Sequence, residues 1–114
     1  MLSREYTLKG EKNFNEIEKK GKVFQSECFG VAYLKREDKE VSKFGFIVSN
    51  KVSPDAVNRN RIKRALSEAV RQSLTEVKKS NNIVFLVKQA ATRKSTDLLM
   101  KETKAALSQA GLIK

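Results

Sequence analysis

The residues best suited to chemistry lie together in one short segment, Ala56–Arg64. Six consecutive positions hold four cations and one amide: Arg59, Asn60, Arg61, Lys63 and Arg64. Arginine holds two phosphate oxygens in a planar fork, whereas lysine supplies a point charge. Asn60 can donate and accept, which suits a base edge, a 2′-hydroxyl or a metal-bound water. This combination indicates a surface that binds a polyanion.

A helix is expected to carry this segment. Apolar residues recur along it at three- and four-residue steps: Ile62, Leu66, Ala69, Val70 and Val77. We predict that Ser53 caps the helix, that Pro54 takes its first position and that Asp55 complements the positive end of its dipole. The helix is predicted to end near Lys79, before a break at 80–82. One face can then pack on a core while the other stays positive.

The cations of this helix are predicted to face two ways. Opposite the apolar stripe lie Asn60, Arg61, Arg64 and Arg71. Arg59 and Lys63 fall on the flank of the stripe near the helix start, where free N–H groups also attract phosphate. The alternative is a solvated face in which Arg64 pairs with Glu68. The density of cations favours phosphate binding, because solubility does not require four of them in six residues.

Charge and composition narrow the class of protein. The 114 residues fit a single domain, 1–114, and carry a net charge of +11. Most of the excess lies in residues 51–114, which hold 14 basic and 5 acidic side chains. Nucleic acid is the favoured partner, since no helix has the large apolar face that membrane binding requires. The longest apolar run, Ile83–Val87, is too short to span a bilayer. No secretion signal is recognised, so a cytoplasmic protein is expected.

Several catalytic chemistries are excluded by residue type. The chain has no His and one Cys, so histidine acid-base catalysis and the usual transition-metal sites are ruled out. The acidic residues Glu37, Asp38 and Glu40 cluster in a mixed-sign loop that is expected to be solvated. No phosphate loop or nucleophile motif is present. We therefore predict no catalytic residue and no metal ligand.

The order of predicted elements indicates an α+β fold. A short helix over Glu11–Lys20 precedes a strand segment over Val23–Leu34, which we divide in two. A strand over Lys43–Ser49 completes three antiparallel strands before the basic helix. A buried strand follows over Ile83–Lys88. The last helix, over Thr96–Gln109, is capped by Ser95 or Thr96 and closed by Gly111.

Aromatic residues provide a second candidate feature for nucleic-acid binding. Phe14 on the first helix, with Phe29 or Tyr33 on the strand, could stack on unpaired bases. The alternative is that these rings belong to the core, as most Phe residues of a small protein do.

The central residues resemble the signature of the bacterial ribonuclease P protein subunit. The strand end reads Gly45-Phe46-Ile47-Val48-Ser49-Asn50-Lys51, and the basic block reads Ala56-Val57-Asn58-Arg59-Asn60-Arg61-Ile62-Lys63-Arg64. The flanks agree: Leu8-Lys9, Asn13-Phe14 and the late strand at 83–88 resemble the same family.

The resemblance implies an α-β-β-β-α-β-α two-layer sandwich with a left-handed βαβ crossover. It also implies a non-catalytic protein subunit that helps a catalytic RNA, using Mg²⁺, to remove the 5′ leader of precursor tRNA. The partners would be that RNA and the leader, which lies in a cleft between the first helix, the sheet and the basic helix. RNA-binding positions would be Lys51, Arg59, Asn60, Arg61, Lys63 and Arg64, with Phe14 on the cleft wall. A ribosomal or other structural RNA-binding protein, or a stand-alone nuclease, are the alternatives.

The chain departs from the family pattern at several positions. Glu18 stands where the first helix usually offers a second aromatic, Ala32 where a strand often offers a tyrosine, and Ser67 where an arginine is expected. Asn50 stands where a first lysine is common. These changes imply a leader cleft with less stacking and less charge than usual.

Overall fold

The computed structural model of the protein describes residues 2–114. Its helices and strands follow in the order α1 (Glu11–Lys20), β1 (Lys22–Gln25), β2 (Phe29–Lys35), β3 (Lys43–Ile47), α2 (Ala56–Ser73), β4 (Asn81–Val87) and α3 (Thr96–Gln109). Short 3₁₀ helices span Arg4–Tyr6 and Gln89–Arg93. This order confirms the α+β fold implied by the resemblance. Within residues 2–114, no helix is long and apolar enough to cross a membrane.

The four strands form one mixed sheet in the order β1-β2-β4-β3. β2 pairs antiparallel with β1 and with β4, whereas β3 pairs with β4 in parallel, from Lys43 opposite Asn82 to Ile47 opposite Leu86. The expected run of three antiparallel strands is therefore wrong for β3, which lies at an edge. A connection as long as α2 allows parallel pairing, and β4 suits a central strand because apolar residues occupy both of its faces.

The main core lies between one face of the sheet and the two long helices, α2 and α3. It includes the buried residues Phe29, Val31, Phe44, Ile83, Phe85, Ile62, Leu66, Val70, Leu99 and Leu107. The shorter helix α1 packs on the opposite face, where Ile17 meets Ala32 and Val84. Because α1 is only 10 residues long, part of that face stays uncovered. This open area borders the functional surface described below.

The ends of α2 differ from the sequence prediction. Asp55, not Ser53, is the N-cap: its carboxylate accepts a hydrogen bond from the Val57 N–H at 2.9 Å. Pro54 lies before the cap, so it is not the first helical residue. The helix ends at Ser73, because the chain turns there to bring Val77 into a buried bridge with Ile113. Val77 is thus a core residue outside the helix.

The last helix begins and ends as predicted. The Ser95 hydroxyl accepts a hydrogen bond from the Leu98 N–H at 3.2 Å, which makes Ser95 the N-cap. Gly111 follows the helix with a φ of +78°, a conformation that glycine adopts without strain.

Candidate nucleic-acid interface

Arg59 and Arg61 are fastened to the protein by part of their guanidinium groups. Arg59 Nη1 donates to the Ser53 carbonyl at 2.7 Å, which ties the helix to the loop before it. Arg61 Nε donates to Asn58 Oδ1 at 3.1 Å, and its Nη1 donates to the Lys94 carbonyl, also at 3.1 Å. Each guanidinium has five N–H donors, so both keep donors for a ligand while their orientation is fixed.

The other polar residues of the basic block point into two different grooves. Asn60 and Arg64 are exposed and, with Arg61, line a groove of about 620 Å³ between α2 and α3. Lys63 is half-buried and lies on the opposite flank, beside Phe14 and Ser67. The helix therefore presents positive charge on two sides, as the helical spacing predicted.

The acid on α2 neutralises Arg71 and leaves Arg64 unpaired. Glu68 forms an ion pair with Arg71 and accepts a further hydrogen bond from Gln72 Nε2 at 3.2 Å. Hydrogen bonding to Arg71 is the main reason why the pKa of Glu68 falls to about 2. Within residues 2–114, Lys63 and Arg64 have no ion-pair partner. The alternative in which Glu68 pairs with Arg64 is therefore wrong. Among residues 2–114, Arg59 and Arg61 also lack an ion-pair partner, so all four cations of the block keep their full charge.

A cleft lies where α1 leaves the sheet uncovered. Its volume is about 390 Å³, and it is lined by Phe14, Ile17 and Glu18 of α1 and by residues of all four strands. The strand residues include three large apolar side chains that are strongly exposed: Val23 at 54%, Ile47 at 42% and Leu86 at 41%. Apolar side chains in an open concave surface beside cations suit the bases of a single-stranded nucleic acid.

Phe14 is the predicted aromatic residue that reaches this cleft. It is half-buried and lines both the cleft and a smaller adjoining pocket of about 240 Å³, which Lys63 and Ser67 share. Phe14 thus links the sheet surface to α2. Glu18 and Ala32 line the cleft and Ser67 lines the adjoining pocket, so three of the departures noted in the sequence fall on this surface.

The two other predicted cleft residues lie elsewhere. Phe29 is fully buried in the main core, with its ring 5.4 Å from that of Phe85 in an edge-to-face contact. Tyr33 lies on the same face of β2, because side chains alternate along a strand. The face that borders the cleft is the one that carries Ala32. The assignment of Phe29 and Tyr33 to the cleft is therefore corrected.

The cleft residues on the strands were missed by sequence reasoning. Val23, Ile47 and Leu86 read as ordinary strand hydrophobics, and the late strand was expected to be buried on both sides. The one sequence feature that could have indicated them is the alternation in β1, where Val23 lies between Lys22 and Phe24. Alternation identifies two faces, but it cannot say which one a short helix leaves open.

Lys51 lies in the exposed turn after β3. Its carbonyl accepts a hydrogen bond from Gln89 Nε2 at 2.9 Å, which holds the turn against the 3₁₀ helix that follows β4. This hydrogen bond connects the turn to the segment after β4, while the Lys51 side chain is exposed. Among residues 2–114, no group of three or more His, Cys, Asp and Glu side chains is placed to hold a metal ion.

Comparison with known proteins decides the family. The family model described as Ribonuclease P matches residues 2–111. The chain belongs to the ribonuclease P protein family. It is 33% identical over 111 residues to the ribonuclease P protein component of Clostridium kluyveri, covering 96% of this chain and 97% of that one.

Solved structures of ribonuclease P proteins have the same fold. The Staphylococcus aureus protein superposes with a TM-score of 0.89 at 26% identity, covering 96% of this chain and 98% of that one. The Thermotoga maritima protein superposes with a TM-score of 0.80 at 25% identity, covering 90% and 96%. The family membership predicted from the block at 56–64 is confirmed, and this ribonuclease P protein carries its basic helix and open cleft on the fold that the resemblance implied.

Proposed function

We propose that this chain is the protein component of a bacterial ribonuclease P, and that it helps a catalytic RNA to remove the 5′ leader from precursor tRNA. The observation that carries the proposal is the division of the basic helix between two grooves. Arg64 lines the groove between α2 and α3, while Lys63 lies next to the cleft, beside Phe14. One helix can thus contact two RNA segments at once.

The catalytic RNA is assigned to the groove between α2 and α3. Asn60, Arg61 and Arg64 line it, and Val57 adds an apolar side chain that is 76% exposed. The fixed guanidinium of Arg61 would position a phosphate, and the unpaired charge of Arg64 would add attraction. Glu68 also lines this groove, but its carboxylate is paired with Arg71. We include Arg59 and Lys51 in this RNA-binding surface, since both occupy the family positions named above.

The leader is assigned to the cleft. An unpaired strand can place bases on Phe14 and on the exposed apolar side chains of the sheet, while Lys63 attracts its phosphates. Glu18 opposes that attraction with a negative charge, and Ala32 offers no ring for stacking. Because of both residues, we expect this protein to bind the leader more weakly than relatives that have an aromatic residue at these positions.

Bond cleavage is assigned to the RNA, with Mg²⁺ bound there. The chain has no His, and its side chains offer charge and apolar surface rather than a nucleophile. Positive charge from Lys63 and Arg64 would lower the repulsion between two RNA molecules and help to retain divalent ions between them. The reaction would take place in the cytoplasm, where precursor tRNA is processed.

Reconstitution tests this function directly. The purified chain is mixed with a bacterial ribonuclease P RNA and precursor tRNA at low Mg²⁺, where the RNA alone is slow. We expect correct 5′ cleavage only when RNA and protein are both present, and none with protein alone. RNA binding without stimulation would instead identify a structural RNA-binding protein, and cleavage by the protein alone would identify a nuclease.

A further inference from the structure

A second basic surface lies far from the basic block of α2. Five lysines line a groove of about 430 Å³ at the open end of the sheet: Lys20, Lys22, Lys35, Lys78 and Lys79. No acidic residue lines it, and among residues 2–114 none of these ammonium groups has an ion-pair partner. The full length of α2, about 27 Å for 18 residues, separates its first turn from the segment that carries Lys78 and Lys79.

The groove is built by backbone contacts and does not depend on flexible side chains for its shape. β1 begins at Lys22 opposite Tyr33, so the last two residues of β2 extend beyond it. The turn at Gly21 lies directly against that strand, since a Cβ at Gly21 would approach the Tyr33 carbonyl oxygen to 2.9 Å. On the other wall, the Lys78 N–H donates to the Leu112 carbonyl at 2.8 Å.

The groove adjoins the cleft. On β2, Ala32 lines the cleft and Leu34, two residues on and on the same face of the strand, lines the groove. On α1, Glu18 lines the cleft and Lys20 lines the groove. A strand that lies in the cleft therefore meets the lysines when it passes the end of α1. Lysine binds phosphate as a point charge and reads no base, so such a contact would be independent of sequence.

We propose that this groove, which we call the lysine groove, binds the phosphodiester backbone of the leader after it leaves the cleft. The inference rests on the proposed function and extends it: the protein would hold long leaders at a second, sequence-independent site. Lysines on both walls of the groove suit a phosphodiester backbone, and the half-buried ring of Tyr33 adds an aromatic contact within it.

The test compares two double variants of the full chain in the reconstituted holoenzyme. Lys22→Gln/Lys79→Gln removes one charge from each wall, and Lys12→Gln/Lys101→Gln removes two exposed charges that line none of these grooves. Binding constants are measured over a range of salt concentrations for precursors with leaders of about 4 and about 16 nucleotides. These lengths are the two ends of the usual range of single-strand site sizes. All four altered lysines are exposed, and thermal unfolding checks that both variants fold.

We expect Lys22→Gln/Lys79→Gln to weaken binding of the long-leader precursor only. Its salt slope should fall by about 1.4, because each phosphate contact on a single strand contributes about 0.7. Equal loss of affinity in the two variants would overturn the proposal. A loss of affinity that is the same for both leader lengths would also overturn it, because the groove would then bind the RNA subunit. Stimulation of short-leader cleavage by the wild-type protein tests the proposed function separately, because it does not depend on the groove.

Discussion

The ring of Phe14 lies directly on the backbone of Gly45. A Cβ built on Gly45 would come within 3.0 Å of Phe14 Cε1 and 3.1 Å of its Cζ. Glycine at this position of β3 therefore allows α1 to approach the sheet closely enough to place the ring between the cleft and Lys63. The contact joins a residue of the first helix to one that follows it by 31 positions, and it sets one wall of the proposed leader site.

Gly45→Ala should disturb this contact. The added methyl must displace the ring, so we expect unfavourable coupling of about 0.5–3 kcal/mol between Gly45→Ala and Phe14 in a double-mutant cycle. Denaturant unfolding of wild type, Gly45→Ala, Phe14→Ala and the double variant measures it. The substitution should cost less stability when residue 14 is Ala. An equal cost in both backgrounds would mean that the ring does not rest on Gly45.

Arg64 and Arg71 form a matched pair for testing the RNA surface. Both are exposed arginines of α2, but Glu68 neutralises only Arg71. Arg64→Gln should lower the salt slope for binding the ribonuclease P RNA by about one unit, because one phosphate contact is lost. Arg71→Gln should leave the slope unchanged. The two slopes are compared from binding constants measured over a range of salt concentrations, and a larger effect at Arg71 would contradict the assignment.

Glu18 should weaken leader binding through its charge. It lines the cleft, whereas Glu16, also exposed on α1, does not. Glu18→Gln should tighten binding of a precursor with a leader by about two- to fivefold, on the order of one exposed charge interaction. Glu16→Gln serves as the control with the same change of net charge. If the two variants gain equally, or if the gain persists on mature tRNA without a leader, the effect does not arise in the cleft.

Cys28 should be inert in the folded protein. The side chain is fully buried, and burial, aided by the Glu102 carboxylate, raises the pKa of the thiol to about 12. At pH 8 the thiol therefore stays protonated, and the reactive thiolate is scarce. A colorimetric thiol reagent should therefore label Cys28 slowly in native buffer and rapidly in denaturant. Fast native labelling would show that the core opens at the turn between β1 and β2, where Cys28 lies.

The sequence by itself determined the local features of this protein. Helical periodicity placed Ile62 and Leu66 inward and Arg64 outward, because the pitch of a helix fixes which neighbours share a face. The density of charge around Arg59 indicated RNA binding, and the motif in which it lies identified the family. These properties depend on residues close together in the chain.

The tertiary structure decided what depends on distant contacts. Strand alternation separated Phe29 from Ala32, but only the packing of α1 showed that the face with Ala32 stays open. The pairing of β3 with β4 followed from the long crossover and had no local signal. Lys20, Lys35 and Lys79 form one groove although they lie far apart in sequence. Chain topology brings these distant charges together. The periodicity of a single helix or strand therefore cannot predict the groove.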